Sequence, residues 1–150
     1  MVSPTLFYRV EDEDSQARTM IGRGVWARYP HSSVDFDDVR RPWKVMKLTR
    51  SFLRHLNWGS RYRSPFISTY SDMETARKEA MRRKKEGKRN VTITVIDTSK
   101  PRRRVEYRNA RGLASRLGCE IPEQAWHNSK YEWLFLHHIP QWAVMCCIQV

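Results

Sequence analysis

YEWLFLHHIPQWAVMCCIQV, residues 131–150, is where the fold becomes legible. Residues 131–137 and 142–150 predict two closing strands separated by Ile139-Pro140. In the first of them side chains alternate, so Glu132 shares a face with Leu134 and Leu136 while Tyr131, Trp133 and Phe135 point the other way. Both faces are otherwise apolar. A carboxylate in such a strand has to sit at an edge, be paired, or line a polar cleft, because burying an unpaired charge is costly. From these residues alone an edge position is the first expectation for Glu132.

Working outward, SPFISTYSDMETARKEA, residues 64–80, reads as a short strand bounded by Pro65 that runs straight into a helix capped by Asp72. The apolar spacing Met73, Ala76, Ala80, Met81 predicts an amphipathic helix, with Gly87 as its left-handed stop. VTITVID, residues 91–97, alternates and is β-branched, and NARGLASRLG, residues 109–118, has the cap, spacing and terminal glycine of a brief helix. TLFYRV, residues 5–10, opens the chain as a strand, and Ser15 or Asp14 is expected to cap a short helix reaching Gly22 or Gly24. Between Val34 and Trp58, the residues Trp43, Met46, Phe52, Leu53 and Leu56 predict a helical face. Strand, helices, then mostly strands argues an α+β domain over a doubly wound one. No repeat or low-complexity linker interrupts it, so residues 1–150 read as one domain.

Composition sets the class. With 40% apolar residues, six Trp, six Tyr and five Phe, the chain can bury an ordinary core. No stretch approaches the roughly 20 apolar residues needed to cross a bilayer, and MVSPTLFYRV lacks the order of a secretory signal, so the expected location is intracellular, cytoplasmic or nuclear. Cys119, Cys146 and Cys147 form no disulfide framework. Together with His127, His137 and His138 they lack paired metal-ligand spacing, so no metal is expected. No GxGxxG, GxxxxGK[ST] or GxSxG occurs. Lys plus Arg number 28 against 16 Asp plus Glu, a formal charge of +12 that favours polyanionic partners. The excess gathers in MRRKKEGKR, residues 81–89, and KPRRRVEYR, residues 100–108, which read either as phosphate-tracking or nuclear-address segments or as a solvated helix face and loop.

Three further residues invite chemistry. Ser68 and Thr69 end a strand before a helix cap, where hydroxyls either orient ligands and acids or satisfy local backbone. Arg9, mid-strand in LFYRV, needs a carboxylate, a phosphate or solvent, and taken alone a salt bridge is its first expectation.

In order and spacing, LFYRV, SPFISTYSDMETARKEA, VTITVIDTS and YEWLFLHHIPQWAVMCCIQV together resemble the Arg, Ser-Thr-Ser, Glu signature of ADP-ribosyltransferases of the cholera toxin and heat-labile enterotoxin A-chain type. The pattern also resembles an uncharacterised fungal domain family, which speaks to ancestry and not to activity. The first resemblance implies a split β-sandwich with flanking helices and NAD as substrate. It implies that Glu132 stabilises an oxocarbenium-like transition state, that Ser68 orients Glu132, and that Arg9, Ser68, Thr69 and Tyr70 meet the dinucleotide. Tyr70 or Trp133 would stack on nicotinamide. The chain departs from the pattern in two places. Tyr70 stands third in Ser-Thr-Ser, and Lys130 stands two residues before Glu132, where the family usually has Glu or Gln. Lys130 cannot accept a proton from an arginine substrate, which implies NAD hydrolysis, transfer to another acceptor, or no reaction. The alternative is an inactive scaffold that uses Arg82, Arg83, Lys84, Lys85, Arg102, Arg103 and Arg104 to bind nucleic acid or an acidic protein surface.

Overall fold

The alternating segments pair with one another in the computed structural model, which describes residues 3–57, 60–100 and 105–150. In chain order the elements are β1 (Leu6–Glu11), β2 (Arg18–Met20), β3 (Gly24–Trp26), α1 (Pro42–Leu56), β4 (Phe66–Tyr70), α2 (Met73–Lys85), β5 (Thr92–Asp97), β6 (Tyr107–Asn109), α3 (Ala110–Leu117), α4 (Glu123–Ser129), β7 (Glu132–Leu136), β8 (His138–Ile139) and β9 (Val144–Gln149). Six strands form an antiparallel sheet in the order β6-β7-β4-β1-β5-β9, and three form a second sheet, β2-β3-β8. This is an α+β architecture, a split β-sandwich with helices packed around it.

Three apolar clusters hold the layers. Phe7, Ile67, Ile96 and Phe135 of the large sheet meet Val25 and Ile139 of the small one. On the other side Phe66, Leu134 and Leu136 pack under Leu48, Phe52 and Leu56 of α1 and Leu113 of α3. Ala76 and Ala80 of α2 lie against Val10, Tyr70 and Ile93. Each large apolar side chain buried this way contributes roughly 1.5–3 kcal/mol.

The ladders differ in length. β1 and β5 pair over six residues, from Leu6↔Asp97 to Glu11↔Thr92, and β4 pairs with β7 from Phe66↔Leu136 to Tyr70↔Glu132. β1 meets β4 at Tyr8↔Tyr70. β7 lies between β6 and β4, so the edge expected for Glu132 is not where it sits.

The helix expected after Asp14 is a hairpin instead. Asp12 Oδ1 accepts from the Asp14 N–H, and Ser15 Oγ accepts from the Asp12 N–H, so these side chains close a turn rather than cap a helix. Gly24, at φ +83, then enters β3 against β8, where an added Cβ would lie 2.0 Å from the Ile139 carbonyl oxygen. The helix expected from Val34 begins only at Pro42, whose ring suits the first helical turn. Val34 and Phe36 reach the core from the loop before it, while Trp43 and Met46 lie exposed on α1. α2 starts as expected, the Asp72 side chain accepting from the Thr75 N–H at 2.9 Å, a cap worth ~1 kcal/mol. Its buried face is Ala76, Glu79 and Ala80, whereas Met81 is exposed. No helix among the described residues is long and apolar enough to cross a membrane.

Candidate active site

Tyr70 faces Glu132 across the β4–β7 ladder, and the pleat puts Ser68, two residues along, on the same side. The diagonal is closed by Ser68 Oγ, which donates to Glu132 Oε2 at 2.8 Å. The last turn of α1 brings His55 to the same point, its Nε2 lying 2.6 Å from Ser68 Oγ and its Nδ1 2.5 Å from Ser64 Oγ. Ser64 Oγ also accepts the Phe66 N–H. With Ser68 donating to Glu132, Nε2–H donates to Ser68, and a neutral imidazole then accepts from the Ser64 hydroxyl at Nδ1. Burial, and then the positive charge of Arg9, hold the His55 pKa down to about 4.

Glu132 is 7% exposed. Burial pushes its pKa up to about 7 against the hydrogen bond from Ser68, the charge on Glu79 adds to the rise, and Arg83 opposes it. The carboxyl therefore titrates near neutrality, as a buried acid at a cleft does. Tyr70, buried and beside Glu132, has its phenol pKa raised by burial first and by the charges of Glu132 and Glu79 after it.

Arg9 holds the site from behind. Its Nη1 donates to the Ser68 carbonyl at 3.1 Å, its Nη2 to the Ala17 carbonyl at 2.9 Å, and its Nε faces Glu11 at 3.4 Å. The expected ion pair is present, but two carbonyls take most of the fork, and the guanidinium joins β4 to the segment before β2.

Together these residues line a cavity of about 400 Å³ that includes Arg9, His55, Ser68, Tyr70 and Glu132, within the size range of small-molecule sites. Its far wall is ionic. Glu79, 4% exposed, accepts from Arg82 and Arg83, and Arg83 also reaches Asp12 Oδ2 at 3.0 Å. Burial acts to raise the Glu79 pKa, but the two arginines outweigh it and hold the group below its ordinary value.

A family model described as a domain of unknown function, DUF7587, matches residues 2–150. The chain belongs to DUF7587. No curated protein matches the sequence. Among solved structures the DUF7587 domain is similar to EcPltA, a toxin subunit of the ADP-ribosyltransferase type, at 10% identity and a TM-score of 0.54, over 96% of this chain and 74% of that one. The fold is ADP-ribosyltransferase-like.

Not every expected residue of the DUF7587 domain reaches the cleft. Thr69 is fully buried and donates to the Trp133 carbonyl at 2.9 Å, because alternation turns it to the opposite face from Ser68 and Tyr70. Trp133 packs edge-on against Phe7 in the inter-sheet core, so of the two candidates for a stacking ring only Tyr70 lines the cavity. Arg82 and Arg83 do not project as a free basic face, since Glu79, Glu86 and Asp12 engage them. Lys84 and Lys85 are exposed, and Arg102, Arg103 and Arg104 lie outside the described residues. Lys130 is exposed beyond the cleft, its Nζ 5.4 Å from the Tyr131 ring. His137 meets Ser32 and His138 stacks on Trp26, both away from the cavity. His55 is the residue that sequence reasoning missed; its only local sign is a polar ring beside buried Leu56 in a helix's last turn.

Proposed function

We propose that this DUF7587 domain cleaves the nicotinamide–ribose bond of NAD, with water or an acceptor other than arginine taking the ADP-ribosyl group. The observation that carries the reading is the Glu132 carboxyl, held by Ser68 Oγ in a cleft backed by Arg9. As the C1′–N bond breaks, its electron pair leaves with nicotinamide and positive charge develops on the ribose. An ionised Glu132 opposite that charge stabilises the transition state, which is the role a fixed, largely dehydrated carboxylate performs best. A water oxygen then bonds to C1′ and releases its proton, giving ADP-ribose, nicotinamide and H⁺.

Ser68 fixes one carboxylate oxygen and His55 fixes Ser68, so the remaining oxygen, Oε1, is left for the substrate. Tyr70, neutral and lining the cavity, supplies the aromatic surface for nicotinamide. Similarity to EcPltA supports the same reading at the level of fold. Lys130 in place of a second acid argues against transfer to arginine. A purely basic binding module is the weaker reading, because Arg82 and Arg83, two of its seven expected contacts, are engaged by carboxylates.

The test is nicotinamide release from NAD by purified protein. Glu132→Gln keeps the shape and the Ser68 contact but removes the charge, and a loss of at least about 100-fold without a change in circular dichroism is expected. Equal silence of wild type and variant, with and without candidate acceptors, defeats the catalytic reading and leaves the fold standing.

A further inference from the structure

Five cationic side chains line the cleft, and four of them face carboxylates: Arg9 faces Glu11, Arg82 faces Glu79 and Glu86, Arg83 faces Asp12 and Glu79, and Lys88 faces Asp14. Arg54 is the exception among the described residues. It is exposed, in the last turn of α1 immediately before His55, and its guanidinium carbon lies 4.9 Å from the centroid of the Tyr62 ring. Tyr62 also lines the cleft, and its hydroxyl is 3.0 Å from the Oγ of Ser51, which is 1% exposed. A ring anchored to the core therefore carries the guanidinium. A cation–π contact occupies no N–H donor, and no carboxylate meets the Arg54 guanidinium among the described residues, so its fork can donate to two oxygens of one phosphate.

The placement matches a dinucleotide. Glu132 and Ser68 occupy the buried floor, where the ribose that loses nicotinamide has to sit, and Arg54 stands at the exposed mouth next to His55. The other four cations already have their charge compensated, so an entering anion finds its uncompensated partner at Arg54. We propose that Arg54, seated on Tyr62, binds the diphosphate of the dinucleotide. The assignment rests on the NAD reading above and adds the group that recognises the substrate's charged centre.

Calorimetric titration with ADP-ribose, which carries the diphosphate but has no bond to cleave, separates the two claims. For Arg54→Ala an affinity about 10- to 100-fold below wild type is expected, as for loss of a charged hydrogen-bond pair. Arg54→Lys, which keeps the charge and loses the fork, falls between the two. Arg54 is exposed, so both variants fold, which circular dichroism verifies. Unaltered ADP-ribose affinity in Arg54→Ala, with wild type binding normally, overturns the role of Arg54 and leaves the NAD reading intact. Failure of the wild type to bind either ADP-ribose or NAD overturns both.

Discussion

With a pKa pushed up to about 7, the Glu132 carboxyl is half protonated near neutrality. Only the ionised form can stabilise a developing cation, so nicotinamide release rises as pH climbs through about 7 and then levels. Initial rates from pH 5 to 9 check this, and a flat profile across that window contradicts the assignment. The same shift acts on folding. Because the folded pKa exceeds the ordinary value of 4.5, the protonated form is favoured by folding, and stability falls as pH rises from about 4.5 to about 7. Glu132→Gln escapes that penalty and gains up to about 3 kcal/mol over wild type above neutrality, with no gain at pH 4, as measured by urea unfolding at the two pH values. The strands that carry Arg9, Ser68 and Glu132 are legible from their patterning, but the grouping of the three residues came through the family resemblance, since taken alone Glu132 reads as an edge residue and Arg9 as a salt bridge. Thr69 turns away from the cleft, and Trp133, left open beside Tyr70 as the stacking ring, packs in the core, because which side of a strand meets a cleft depends on its neighbours; His55 is not legible in the sequence because its meaning lies in Ser64 and Ser68, distant in the chain.

Elements whose ends carry their own chemistry were read well: α2 with Asp72 at its start, α3 between Asn109 and Gly118, and the alternating β5. The sequence predicts a helix where β2 and β3 form a hairpin, because these strands are three residues each and too short to show a period. What secures the hairpin is distant in sequence. Gly24 approaches the Ile139 carbonyl so closely that Gly24→Ala has to displace backbone while also holding a residue at φ +83, and a loss of roughly 2–4 kcal/mol follows, read as a lower urea midpoint. A loss below 0.5 kcal/mol would show that β3 and β8 separate without cost. α4 was missed for a related reason: its seven residues bury only Ala125 and Ser129, which leaves no apolar stripe to read.

At the scale of the molecule, the cleft wall ties α2 to the loop after β1. Arg83 bridges Glu79 and Asp12, both about 95% buried, and Lys88 meets Asp14 beside it. Arg83→Ala leaves Asp12 buried without its cationic partner, for a loss of about 3–5 kcal/mol by urea unfolding, whereas Lys88→Ala, at an exposed pair, leaves the urea midpoint nearly unchanged. Comparable losses in the two variants would mean that Asp12 reaches solvent when Arg83 goes. The overall α+β order was legible from the succession of segments, whereas the split β-sandwich came only through the family resemblance, since it depends on which strands fail to continue their pairing. β6-β7-β4 and β1-β5-β9 are two halves that meet at Tyr8↔Tyr70, with the Arg9 guanidinium spanning the gap to the Ser68 carbonyl. That residue pair and that guanidinium form the junction between the halves. A molecule in the cleft that competes for Arg9 loosens it, so occupancy registers as faster deuterium uptake along Leu6–Glu11 and Phe66–Tyr70, while one that leaves Arg9 in place slows exchange in both strands.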